Sequence, residues 1–289
     1  MFYDTFIYPF SEFAFMRAAL AGVLALALGA GPIGVILMLR RMSLIGDAMA
    51  HAILPGAAIG FLIAGLNLFA MAAGGLIVGF IVAVGAGLIA RSTQLKEDAS
   101  LAAFFLISLA LGVTIISVKG TSIDLLHFLF GSVLAVDNPT LLLMASITSL
   151  SLITLALIWR PLVLDCVDPG FLRSVSWAGG PAHSAFLALV VMNLVGGFQA
   201  LGTLLAVGVM MLPAITARFW ARDITPMIVF AVACGAISGF VGLVISYHAN
   251  LPSGPAIVLV AGGLYALSVL IGPVGGLIWL VLPRRHLEA

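Results

Sequence analysis

Apolar stretches follow one another along almost the whole chain, at approximately residues 14–39, 44–66, 68–90, 99–118, 139–159, 184–199, 200–219, 226–249 and 256–282. A helix that crosses the hydrocarbon core needs about 20 mostly apolar residues, and it must pair its own backbone N–H and C=O groups because no water can do so. Hydrophobic residues fill 63% of the 289 positions and charged residues only 8%, whereas a soluble domain carries about 25% charged residues. The predicted fold is therefore all-α: a polytopic transmembrane helical bundle of eight or nine spans. Residues 1–289 form a single transmembrane domain, with almost nothing left for a separate aqueous unit.

The count stays open because 184–199 and 200–219 are divided only by Gly196-Gly197-Phe198-Gln199, which reads as a break inside one helix or as a turn between two. Pro55, Pro213 and Pro273 interrupt other apolar stretches, and broken helices at membrane depth persist where they line a cavity or pack in protein. Ile53-Leu54-Pro55-Gly56-Ala57 and Met211-Leu212-Pro213-Ala214-Ile215 form a faint repeat, the kind of paired break found in two-half transporters. The 32 glycines, spread through the spans, read as packing positions that let helices approach closely in lipid.

Basic residues favour the cytoplasmic side of a membrane. They fall at Arg40-Arg41, Arg91 with Lys96, Arg160 with Arg173, Arg218 with Arg222, and Arg284-Arg285. Nine crossings put all five groups on one side, with the N-terminus outside and the C-terminus inside. The first stretch reads as a retained span, since no Lys or Arg precedes Arg17, and Leu287-Glu288-Ala289 reads as a cloning scar. The net charge of +1 comes from scattered residues with no basic arm, so nucleic acid is not an expected partner. Cys166 and Cys234 do not form a disulfide framework.

Asp47 and His51 stand apart from the other ionisable residues because they lie within an apolar stretch. An intramembrane Asp costs about 2.5–3.5 kcal/mol on insertion scales and so requires a cation, a partner or water. The i to i+4 spacing places both side chains on one helical face, about one 5.4 Å turn apart. A carboxylate and an imidazole so placed suit a divalent transition metal such as zinc or manganese. The same spacing also fits an Asp that simply hydrogen-bonds the His.

The motifs around this pair resemble the membrane permeases of ABC importers for zinc, manganese and iron. They are Gly31-Pro32-Ile33-Gly34, Arg40-Arg41-Met42-Ser43-Leu44-Ile45-Gly46-Asp47-Ala48, His51 and Leu54-Pro55-Gly56. Farther along come Phe130 to Val136, Gln199 to Leu205, Leu212-Pro213-Ala214 with Thr216-Ala217-Arg218, and Leu251 to Pro255. They occur in order over most of residues 20–265. The resemblance implies a homodimeric, multi-pass permease of the bacterial plasma (inner) membrane. Its partners would be a cytoplasmic ABC ATPase subunit, an extracytoplasmic metal-binding protein and a second copy of itself. Asp47 and His51 would be its metal-coordinating pair, the metal being cargo rather than a permanently bound cofactor.

The chain has two lysines, Lys96 and Lys119, and neither belongs to a phosphate-binding Gly-x-x-x-x-Gly-Lys-Ser/Thr loop. ATP hydrolysis is expected on a separate subunit, and the chain itself is not an enzyme. The segment 160–183, with Asp165, Asp168, Pro169, Gly170 and Phe171, sits where the resembled family docks its ATPase, although it departs from the family pattern around Gly170 to Trp177. It also reads as a plain solvated loop.

Asp124 and His127, three residues apart, form either one face of an interfacial helix at the external mouth or a solvated face. His248, beside Asn250 at the end of a span, is a weaker candidate for metal entry or a histidine satisfied by water, and His183 and His286 read as loop and tail residues. The alternatives in transport are an ABC permease for a metal chelate or vitamin, and a secondary cation transporter with Asp47 as its proton or sodium site. An intramembrane protease would need a second intramembrane Asp or a His-Glu-x-x-His run, and the sequence has neither.

Overall fold

A computed structural model describes residues 6–42, 44–65, 67–94, 97–118 and 133–278. In chain order the helices are α1 (Tyr8–Glu12), α2 (Ala14–Leu39), α3 (Ile45–Ala52), α4 (Leu54–Ala64), α5 (Leu68–Ser92), α6 (Glu97–Val118), α7 (Asn138–Leu157), α8 (Trp159–Val167), α9 (Pro169–Val175), α10 (Gly179–Leu201), α11 (Thr203–Ala217), α12 (Ile224–Ala249) and α13 (Ser253–Ile271). Among the described residues there is no strand. Seven segments of the described residues are long and apolar enough to cross a membrane, with α3 and α4 together making one of them, and shorter apolar helices cover 99–115 and 203–217. The helical bundle expected from the sequence is what forms.

Helices α2 and α10 are the most buried spans, and α7 and α13 are among the least. Glycine and small polar residues hold this centre together, as expected where lipid removes the hydrophobic force between helices. Gly34 on α2 abuts the Met210 carbonyl on α11, leaving no space for a Cβ. Gly56 and Gly60 on α4 meet Gly74 and Ala70 on α5, so two small-x-x-x-small faces bring the backbones together. Asn193 donates to Ser151 Oγ at 2.7 Å, and Thr148 donates to the Ala25 carbonyl at 2.9 Å, cross-linking α10 to α7 and α7 to α2.

The second span is broken between α3 and α4. Pro55 has no N–H to offer the His51 carbonyl, so the ladder cannot run straight through. The neighbouring Ala52 carbonyl accepts instead from the Ser108 hydroxyl of α6 at 2.6 Å.

Several sequence expectations change. The helix does not break at Gly196-Gly197-Phe198-Gln199: α10 runs through them to Leu201, because the glycines pack against Ile147, Leu26 and Ala206 rather than turning the chain. The break falls at Gly202, whose φ of 93° and ψ of 158° suit glycine. The faint repeat does not mark two matching breaks, since Pro213 lies inside continuous α11 while Pro55 follows a real one. Helix α13 stops at Ile271, ahead of Pro273. His183 is not a loop residue but a buried one on α10. His286 lies outside the described residues.

Candidate functional site

Helix α3 is eight residues long, with Asp47 in its first turn and His51 in its last. The free N–H groups of a helix start favour a carboxylate, and the free carbonyls of its end favour a cation. A short helix bounded by a tight turn and a proline break thus presents an anionic and a cation-seeking side chain one turn apart. The apolar residues beside them, Ile45, Met49, Ala50 and Ala52, face inward and fix the helix against α6, α10 and α11.

Asp47 Oδ1 lies 3.9 Å from His51 Nε2. That exceeds the reach of a hydrogen bond, so the Asp does not simply hold the His. An ion bonded to both atoms at about 2.1 Å would subtend roughly 135° across that 3.9 Å gap, an open but attainable angle that modest side-chain rotation narrows. The Asp47 side chain is 70% exposed in the isolated chain and that of His51 31%. Asp47 is therefore not the deeply buried acid that its place in an apolar stretch suggested. His51 also packs against the Phe105 ring, 5.9 Å between centroids.

The pair opens on a cleft of about 350 Å³ lined also by Thr203, Leu204, Val207, Gly208 and Val258. The Gly202 break brings the start of α11 to this cleft. Gly208, pressed against Val258, keeps α11 close to α13. Thr203 was not singled out by sequence reasoning, and the break was expected a few residues earlier, at Gly196 to Gln199. The signal was there in Gly202 itself, at the junction of two apolar stretches. Among the described residues no three His, Cys, Asp or Glu side chains cluster as a metal site, and of the described residues lining the cleft Asp47 and His51 alone are strong donors.

The other described candidates do not join them. His248 caps the far end of α12, its Nδ1 donating to the Val244 carbonyl at 3.0 Å and its ring set edge-on to Tyr247, and it does not line the cleft. Asp124 and His127 lie outside the described residues. In the segment 160–183, Asp168 caps α9 by accepting from the Phe171 N–H at 2.9 Å, with Pro169 in the first turn. Gly170 and Phe171 are exposed, together with Val167 and Trp177. Asp165 points inward, 2.7 Å from Arg40 Nη2.

A family profile described as the ABC 3 transport family matches residues 12–272. The manganese import system permease protein ScaB of Streptococcus parasanguinis is 33% identical over 268 residues, 93% of this chain and 94% of that protein. The manganese transport system membrane protein MntC of Listeria monocytogenes is 33% identical over 274 residues, 95% of this chain and 96% of that protein. In a solved structure titled PsaBC from Streptococcus pneumoniae in complex with Fab, one chain superposes with a TM-score of 0.84 at 29% identity, covering 97% of this chain and 99% of its own length.

Proposed function

This chain belongs to the ABC 3 transport family, and from that premise we propose that it carries manganese across the bacterial plasma membrane, passing the ion through the cleft held by Asp47 and His51. It is a metal-ion ABC permease, a multi-pass membrane protein whose role is transport and not catalysis. The observation that carries the finer reading is the 3.9 Å separation of the Asp47 and His51 donor atoms at the edge of a cleft. It is too long for mutual satisfaction and suited to an ion between them.

Manganese is favoured over zinc by the names of the relatives, since a carboxylate and an imidazole suit either ion. Thiolates would select softer ions, and neither Cys166 nor Cys234 lines the cleft. Two protein donors leave most of the coordination sphere to water or to other groups. A cytoplasmic ATPase subunit supplies the energy, an extracytoplasmic binding protein delivers the ion, and two copies of this chain form the pore. The exposed Gly170 and Phe171 on α9 belong to the surface that meets the ATPase.

The test is uptake of Mn²⁺ into proteoliposomes. The complex with its ATPase should accumulate Mn²⁺ only with ATP, and the chain alone should not. Accumulation by the chain alone on a proton or sodium gradient would establish a secondary carrier instead. Zn²⁺ moved in preference to Mn²⁺ would overturn the choice of metal.

A further inference from the structure

Arg40 closes α2 and is 6% exposed, yet it carries a full charge that cannot be shed. Its guanidinium meets three groups on two other helices. Nη2 lies 2.7 Å from Asp165 Oδ2 on α8, and Nη1 lies 2.9 Å from His183 Nδ1 on α10. Its Cζ sits over the Phe186 ring, also on α10, 5.0 Å from the ring centre. Arg can only donate, so His183 Nδ1 is the acceptor in that contact. The pairing with Asp165 is close in distance but poorly aligned for a hydrogen bond, and Nε is buried without an acceptor among the described residues. The cluster is charged, buried and incompletely satisfied, which makes it a poor source of stability.

Arg40 is also joined tightly to the cleft. The turn after it is a Schellman motif: Met42 N–H bonds the Leu37 carbonyl at 2.9 Å and Arg41 N–H bonds the Met38 carbonyl at 3.0 Å. Arg41 takes the left-handed position, φ 60°, usually given to glycine. Ile45 N–H bonds the Met42 carbonyl at 3.1 Å, and α3 begins there. Asp47 stands seven residues from Arg40 along a hydrogen-bonded path, so Arg40 cannot shift without moving the start of α3.

We propose that Arg40 is a positioning residue for metal passage, and that the Arg40–Asp165–His183 clasp ties α8 to the turn that carries Asp47. Movement of the α8–α9 segment thereby resets the Asp47–His51 cleft. The inference rests on the reading of that cleft as the metal path, and it assigns Asp165 to an internal contact in place of a direct ATPase contact.

The test compares Asp165→Asn, Arg40→Gln and the double variant in the reconstituted complex, reading Mn²⁺ moved per ATP hydrolysed. Each single variant should keep hydrolysing ATP while that ratio falls about fivefold or more, the low end of coupling between two sites. The double variant, which removes both charges, should recover to within about twofold of the parent, since neighbouring groups are not additive. A parental ratio in Asp165→Asn, or a double variant no better than the singles, overturns the clasp. If Asp165→Asn fails to assemble with the ATPase, restoration by Arg40→Gln supports the clasp, and failure to restore makes Asp165 a docking residue and overturns it. A parental complex that hydrolyses ATP but moves no Mn²⁺ refutes the metal reading alone. The clasp is then read from the thermal midpoints of the four detergent-purified chains, where additivity overturns it and non-additivity sustains it.

Discussion

Replacing Asp47 by Asn keeps the volume and one oxygen donor but removes the charge facing the ion. The Asp47 side chain is 70% exposed, so a water-like dielectric is the conservative choice. Two unit charges 4 Å apart then interact by about 1 kcal/mol, and a divalent ion doubles this to about 2 kcal/mol, a lower bound for an ion bonded directly to the carboxylate. At about 1.4 kcal/mol per factor of ten, Mn²⁺ binding should weaken by at least about thirtyfold. Any exclusion of water around the site makes the loss larger. Binding is read from the free-ion EPR signal of Mn²⁺ titrated with purified protein, and transport from accumulation in proteoliposomes. Intact assembly and ATP hydrolysis serve as checks on folding. An Asp47→Asn protein that binds and transports Mn²⁺ as the parent does would refute the reasoning, leaving the pair without a role in the ion's path.

His51→Ala should weaken Mn²⁺ binding, because it removes the imidazole donor from the cleft; the same EPR titration reads the loss, and parental affinity would exclude the imidazole as a ligand. Gly56→Ala would drive a Cβ into the Gly74 carbonyl and to 2.9 Å from Val78 Cβ, an overpacking worth about 1–3 kcal/mol. Its thermal midpoint should fall, while that of Gly262→Ala, with open space around the added methyl, should not. Arg41→Gly relieves a left-handed non-glycine residue and should leave stability unchanged or raised by at most about 1–2 kcal/mol, read as an unchanged or higher thermal midpoint. A cysteine at the exposed Ser174, in a chain with Cys166 and Cys234 replaced by Ser, should resist an impermeant reagent on intact cells; modification would invert the orientation of α8–α9.

The sequence made the spans legible because their signal is local. Apolar residues must fill a helix wherever it meets lipid, and 14–39 and 226–249 come within two residues of α2 and α12. Asp47 and His51 were legible for the opposite reason: charge inside an apolar stretch has few explanations. Gly196-Gly197 misled because one residue type serves two ends. At these positions the missing side chains admit Ile147, Leu26 and Ala206, whereas at Gly202 the missing side chain admits a positive φ. No composition rule separates those uses without knowledge of the neighbours.

Arg40 and His183 show the deeper limit. Read along the chain, one is a positive residue at a membrane boundary and the other a loop histidine, and 143 residues separate them. Only packing makes them partners. Asp165 was picked out from its position in a segment expected to meet another protein, yet its carboxylate turns toward Arg40. A charge at the end of a span can face water, a partner subunit or the bundle, and the positive-inside tendency concerns only which side of the membrane it occupies. The buried orientation is the costly one, since desolvating a guanidinium and a carboxylate cancels much of their attraction. That cost is the reason to look for a positional role, and it separates Arg40 from Arg41 beside it, whose side chain is exposed and whose backbone alone makes the turn.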